Sequence, residues 1–223
     1  MAVVGLVVIT CLGFWYKSVL QGLAGPLVAD PPQPDWNCLV VIDGDGCYDR
    51  AAAGYHENTA RRILLIERYR DRCVQIGALR SFDERSRSEL KDRGAPDEAV
   101  TTIRGQSRTR WDEAHLLGKW LEEHPDARPL ILCDRFWSGY TRHILDSSLG
   151  PAEAARVEVL GLPDRRYDET NWWKSRCGMK SFVISYLALA YAWYQGEDQV
   201  VVEPWDLDEY ERVVRQIAGE DSG

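Results

Sequence analysis

The sequence predicts an α/β fold: a Rossmann-like three-layer sandwich with a mainly parallel sheet of about five strands, preceded by a hydrophobic N-terminal helix. Short apolar runs alternate with helical patterns from Cys38 to Leu160, the rhythm of βαβ units. The first run, Leu39-Val40-Val41-Ile42, ends in Asp43-Gly44-Asp45-Gly46 just ahead of a helix. Open α/β sheets build ligand sites in such turns. Composition agrees, since charged residues at 28% and apolar residues at 45% suit an ordinary folded chain.

Residues 2–28 carry one charge, Lys17. As a helix this segment would span about 40 Å at ~1.5 Å per residue, enough to cross a hydrocarbon core of ~30 Å. Phe14, Trp15 and Tyr16 beside Lys17 suit an interfacial belt with a snorkelling lysine. The segment is read as a membrane anchor over residues 1–28; a cleaved signal peptide and a core or interfacial helix remain alternatives. Gly25-Pro26 ends it, and residues 29–36, rich in proline, read as a stiff linker.

The α/β domain is expected over residues 37–199. Its strands are predicted at Cys38–Ile42, Arg62–Ile66, Ala99–Ile103, Pro129–Cys133 and Arg156–Leu160. Ala51, Ala52, Tyr55 and Ala60 place a helix after the glycine turn. Residues 67–82 read as a loop. Ser81-Phe82-Asp83-Glu84 opens a helix running to about Arg93. Trp111, Ala114, Leu117 and Trp120 mark another over residues 107–123, and a further helix covers residues 137–149. The apolar core Phe182–Tyr194 of the next helix is short for a membrane span, so it reads as buried or membrane-surface. Residues 200–223 form a tail whose helix, Glu209–Ala218, is charged.

A net charge of −8 argues against non-specific nucleic-acid binding, which needs a basic surface. Arg61, Arg62, Arg68, Arg70, Arg72 and Arg80 cluster as a solvated face or the rim of an anion site. Six cysteines form no CxxC pair, so neither a zinc site nor a disulfide framework is indicated.

Two resemblances bear on the DGDG turn. It resembles the DxDG signature of haloacid-dehalogenase-like phosphatases, where the first aspartate attacks phosphorus, the second is acid/base, and both help hold Mg²⁺. That resemblance would require a later lysine and a further acidic pair. The strand end at Asp134 offers a single carboxylate.

Over residues 37–194 the order of motifs resembles the YdcF/ElyC/SanA-like family of mostly membrane-anchored α/β proteins. It rests on Val40–Gly46 followed by Arg50 and the helix from Ala51 to Tyr55. Ser107, Thr109, Glu113 and Ala114 then open a helix, and Asp134-Arg135 precedes the stretch to Arg142. Trp137 stands where the family has histidine, and Ser185 where it has glutamate. The resemblance implies a Rossmann-like fold, a ligand site over the strand C-terminal ends and a link to cell-envelope upkeep. It also favours the extracytoplasmic side.

The expected site has three walls: Asp43, Gly44, Asp45, Gly46 and Arg50; Ser107, Thr109 and Glu113; and Asp134, Arg135 and Arg142. Helix N-termini and arginines there suit a small anionic ligand, nucleotide-like or envelope-precursor-like. No cofactor or metal is specified by this reading, and an inactive scaffold remains open. In that case Asp43 and Asp45 stabilise a turn, and Ser107 or Thr109 is an N-cap.

Overall fold

The computed structural model describes residues 15–42, 44–57, 62–197 and 207–218. In chain order the elements are a helix at residues 15–24 (α1), β1 (Cys38–Val41), α2 (Asp45–His56), β2 (Arg62–Arg68), a single turn α3 (Arg72–Gln75) and α4 (Phe82–Asp92). They continue with β3 (Val100–Ser107), α5 (Arg110–Glu123), β4 (Pro129–Asp134), α6 (Ser138–Ser148), the short α7 (Pro151–Ala154) and β5 (Glu158–Leu162). Two helices follow, α8 (Arg176–Gln195) and α9 (Leu207–Ala218).

The five strands form one sheet in the order β3-β2-β1-β4-β5, and every neighbouring pair is parallel. β1 is buried along its whole length, which is why its residues are apolar without alternation. Leu39 and Val41 point into one core with Tyr48 and Ala51 of α2 and Leu90 of α4. Cys38, Val40 and Ile42 point into the other, against Trp111, Ala114 and Leu117 of α5 and Ile144 of α6. The α/β three-layer arrangement is therefore as expected.

Local signals set most boundaries. Ser81 and Glu84 close a capping box at the start of α4, as do Thr109 and Asp112 at α5. Several stretches differ from expectation: α3 (Arg72–Gln75) forms within the segment read as a loop, and β5 begins two residues later, at Glu158. α2 begins at Asp45, within the glycine turn. β2 and β3 run on past Ile66 and Ile103, with a register irregularity near Ile66/Arg68. There Gly105 (φ 147°) turns the chain and its N–H donates to Glu67 Oε2 at 3.2 Å.

The N-terminal segment is docked on the domain. Ala24 and Leu27 are fully buried with Phe136, Trp172 and Leu189, and Trp172 Nε1 donates to the Leu20 carbonyl at 3.2 Å. The buried Ser138 hydroxyl accepts from Ala29 N–H (2.9 Å) and donates to the Arg135 carbonyl (2.6 Å). Packing thus crosses the boundary drawn at residue 28. Among the described residues no helix is long and apolar enough to cross a membrane. Residues 1–14 of the expected anchor lie outside them.

Candidate functional site

The order β3-β2-β1-β4-β5 reverses direction between β1 and β4. Chain leaving β1 continues toward β2, chain leaving β4 toward β5, and the parting connections leave a crevice above the strand ends. A cleft of about 590 Å³ lies there, lined by Ile42, Gly44, Arg110, Asp134, Trp137 and Tyr140, with Cys133 at its base. Gly44 has φ 102° and ψ 143°, a conformation that only glycine adopts without strain. Its carbonyl accepts from Cys47 N–H at 3.0 Å and so starts α2 at the cleft edge. A Cβ at Gly44 would lie 3.4 Å from Asp134 Oδ1, so the two strand-end loops meet face to face.

Beneath the cleft sits a buried ion cluster. Glu113 is only 9% exposed. Its Oε1 accepts from Arg68 Nε at 3.2 Å, and its Oε2 pairs closely with Arg110 Nη1. Arg68 also donates through Nη2 to the Ile42 carbonyl at 2.6 Å and lies 4.0 Å from the centre of the Phe82 ring. Strand alternation explains the meeting: Leu64, Ile66 and Arg68 share the face of β2 that looks at α5. Glu113 stands one turn beyond Arg110, where i,i+3 side chains touch. Glu113 thus bridges two guanidiniums beneath the cleft. Arg110 gives Glu113 one nitrogen and lines the cleft.

Two further groups qualify the chemistry. Burial pushes the Cys133 thiol up to about 12, so near neutrality it is a thiol and not an attacking thiolate. Thr141 Oγ1 is buried and has no ordinary hydrogen-bond partner among the described residues, though the Cys133 thiol lies against it. Thr141 borders a void of about 20 Å³ shared with Arg110 and Glu113, enough for one water.

The structure brings together only part of the expected site. Gly44 and Asp134 face the cleft, Glu113 lies under it, and Asp45 and Gly46 open α2 with exposed side chains or backbone. Asp43 lies outside the described residues. Arg50 turns to Glu57 (3.5 Å) and the Trp36 ring, at the other end of α2. Ser107 is buried, its hydroxyl donating to the Glu67 carbonyl at 3.0 Å, and Thr109 caps α5.

Arg135 holds Glu169 through two nitrogens and the Gly161 carbonyl through a third. This grip keeps the Glu169 carboxyl below its ordinary range. Arg142 is spent on Asp146 and the carbonyls of Val157 and Ala154. His143, the one histidine near that stretch, sits edge-on to Trp193 of α8.

The three expected walls left out Arg110, Trp137 and Tyr140, and Arg68 entered only as one of six clustered arginines that could rim an anion site. A signal existed for two of them. Arg68 continues an apolar strand face past its end, and Arg110 precedes Glu113 by one helical turn.

Ser185, at the position where the family resemblance expects glutamate, is fully buried in α8 and its hydroxyl has no partner among the described residues. Ser185→Ala removes that stranded group and is expected to raise stability by about 1 kcal/mol. The check is a higher urea midpoint at unchanged slope; a lower midpoint would show that the hydroxyl is satisfied.

Fold and cleft together define a doubly wound α/β domain with a switch-point cleft floored by a Glu–Arg–Arg cluster. Comparison of the chain with protein-family models, with curated proteins and with solved structures finds no match.

Proposed function

We propose that this chain is a YdcF/ElyC/SanA-like protein that binds a small anionic ligand, nucleotide-like or envelope-precursor-like, in the cleft between β1 and β4. Arg110 carries the reading. Its guanidinium is steadied on one side by Glu113 and lines the cleft with the other, the arrangement suited to phosphate or carboxylate oxygens. The α2 N-terminus at Gly44 adds N–H groups and a positive dipole end. Trp137 and Tyr140, edge-to-face with centroids 5.5 Å apart, offer aromatic surface for a planar or sugar group. Asp134 suits a ligand hydroxyl. In this proposal residues 1–28 hold the domain at a membrane, on its extracytoplasmic side, in a role in envelope upkeep.

One observation favours a second reading, Mg²⁺-dependent phosphoryl transfer. Asp134 approaches Gly44 between Asp43 and Asp45, which would bring a third carboxylate to the pair that the phosphatase signature uses.

A single experiment addresses both. The full chain is titrated with nucleoside diphosphates and nucleotide-sugars, with and without Mg²⁺, following thermal stability and phosphate release. A bound ligand at about 100 times its Kd adds ~2.7 kcal/mol. Arg110→Ala should weaken it at least about tenfold, the loss of one charge-assisted pair, while Arg50→Ala leaves it unchanged. Phosphate release abolished by Asp43→Asn would replace binding with phosphoryl transfer. Silence across the panel would leave the scaffold reading.

A further inference from the structure

α8 is apolar on the wrong side as well as the right one. Its inner face, Gly178, Ser185, Leu189 and Ala192, is buried against the domain. Its outer face carries Met179, Val183, Ile184, Leu187 and Tyr191 at 43% to 65% exposure, where a water-facing helix would be polar. Trp15, Val19 and Leu23 of α1 are exposed too, and α1 adjoins the start of α8 through the Trp172–Leu20 hydrogen bond. Apolar surface of this extent marks an interaction site.

Charge says what covers it. The chain has 35 acidic residues and a net charge of −8, yet neither α1 over residues 15–24 nor α8 contains an aspartate or glutamate. Lys17, Lys174 and Lys180, three of the chain's lysines, and Arg176 are all exposed here. Lys174, Arg176 and Lys180 rim an open groove of about 550 Å³ whose other walls include Trp173, Met179 and Val183. A second copy of the chain fits this surface badly. A two-fold contact sets the same patch against itself, so these cations would meet with no carboxylate from either helix between them.

We infer that the outer face of α8, with the exposed side of α1, docks on an anionic phospholipid bilayer. The apolar side chains enter the headgroup–acyl boundary, the four cations meet lipid phosphates, and Tyr191, Trp193 and Tyr194 sit at the interface where such rings collect. α8 lies in the membrane plane along about 30 Å and does not cross. The chain ahead of α1 agrees: residues 2–14 contain no charged side chain and lead directly into this face at Trp15. The docking goes beyond the ligand reading and beyond an anchor at residues 1–28, because it belongs to the folded domain.

The test is residue-resolved lysine acetylation of the full chain, read by mass spectrometry. Three conditions are compared: no vesicles, phosphatidylcholine vesicles, and phosphatidylcholine–phosphatidylglycerol vesicles. With the anionic vesicles Lys174 and Lys180 should lose reactivity about tenfold, while Lys91 and Lys119, exposed on other helices, keep theirs. Ile184→Glu/Leu187→Glu, at exposed positions that leave the fold intact by circular dichroism, should restore the reactivity of Lys174 and Lys180. The inference is overturned if the protein sediments with vesicles while both lysines stay reactive, for then the N-terminal segment alone is responsible. It is equally overturned by protection that rises with protein concentration in the absence of lipid, the mark of a second copy, or by equal protection on purely zwitterionic vesicles.

Discussion

Glu113→Ala is expected to cost about 3 kcal/mol of stability, read as a fall in urea midpoint at unchanged slope. Among the described residues, Glu113 is the carboxylate that both Arg68 and Arg110 grip. Its removal takes away the carboxylate that these two guanidiniums share. Breaking a buried pair from one side usually costs ~3–5 kcal/mol because the remaining charge loses its compensation. The low end applies here, since the Arg68 and Arg110 side chains keep 27% and 26% of their exposure and water relieves part of the strain.

Arg68 also retains its bond to the Ile42 carbonyl and its place on the Phe82 ring, so it does not simply swing free. Adding Arg68→Met to Glu113→Ala should recover part of the loss, and that coupling in a double-mutant cycle identifies the pair as the cause. A cost below about 1 kcal/mol, the scale of an exposed ion pair, would show that the cluster is not a structural floor.

The same cluster shows where sequence reasoning reaches and where it stops. The βαβ rhythm was legible because the central strands β1, β2 and β4 carry continuous buried apolar runs, separated by segments of helical spacing. The capping boxes at Ser81 and Thr109 were legible because a cap is a local event within four residues. Sheet order was not, since alternation of strands and helices carries no sign for the direction of each crossover. The place of the reversal between β1 and β4 emerges only in three dimensions.

Arginines divide on the same principle. Arg50, Arg135 and Arg142 stand in or near the right loops, but their partners Glu57, Glu169 and Asp146 decide where they point. Glu113 reads locally as a carboxylate serving a helix N-terminus. What makes it a floor is Arg68, which lies 45 residues earlier in the chain. Thr109 was weighed as a cap or a ligand contact, and its hydroxyl and backbone are engaged as a cap.

Gly139→Ala is the second large effect expected, at about 2–3 kcal/mol. A Cβ at residue 139 would stand 2.2 Å from the Pro26 carbonyl oxygen and 2.8 Å from the Leu27 carbonyl carbon. Both are backbone atoms, so no rotamer change relieves the clash. Either α6 or residues 25–27 must move. Moving α6 disturbs a core that holds Ile144 and Leu145 against β4 and α5, so the lighter segment should yield.

Ala24 and Leu27 would then leave their pocket beside Phe136, Trp172 and Leu189, and the Ala29–Ser138 hydrogen bond would open. The signature is twofold: a lower urea midpoint and faster proteolysis around residues 25–36. Gly22→Ala, where a Cβ meets nothing within 4 Å, serves as the control that neither lowers the midpoint nor speeds proteolysis, since alanine favours the helix. Because Tyr140 follows Gly139 directly and lines the cleft, undocking should also weaken any ligand held there. An unchanged midpoint with unchanged proteolysis in Gly139→Ala would mean that residues 25–27 do not rest on α6, and that α1 and the cleft are independent.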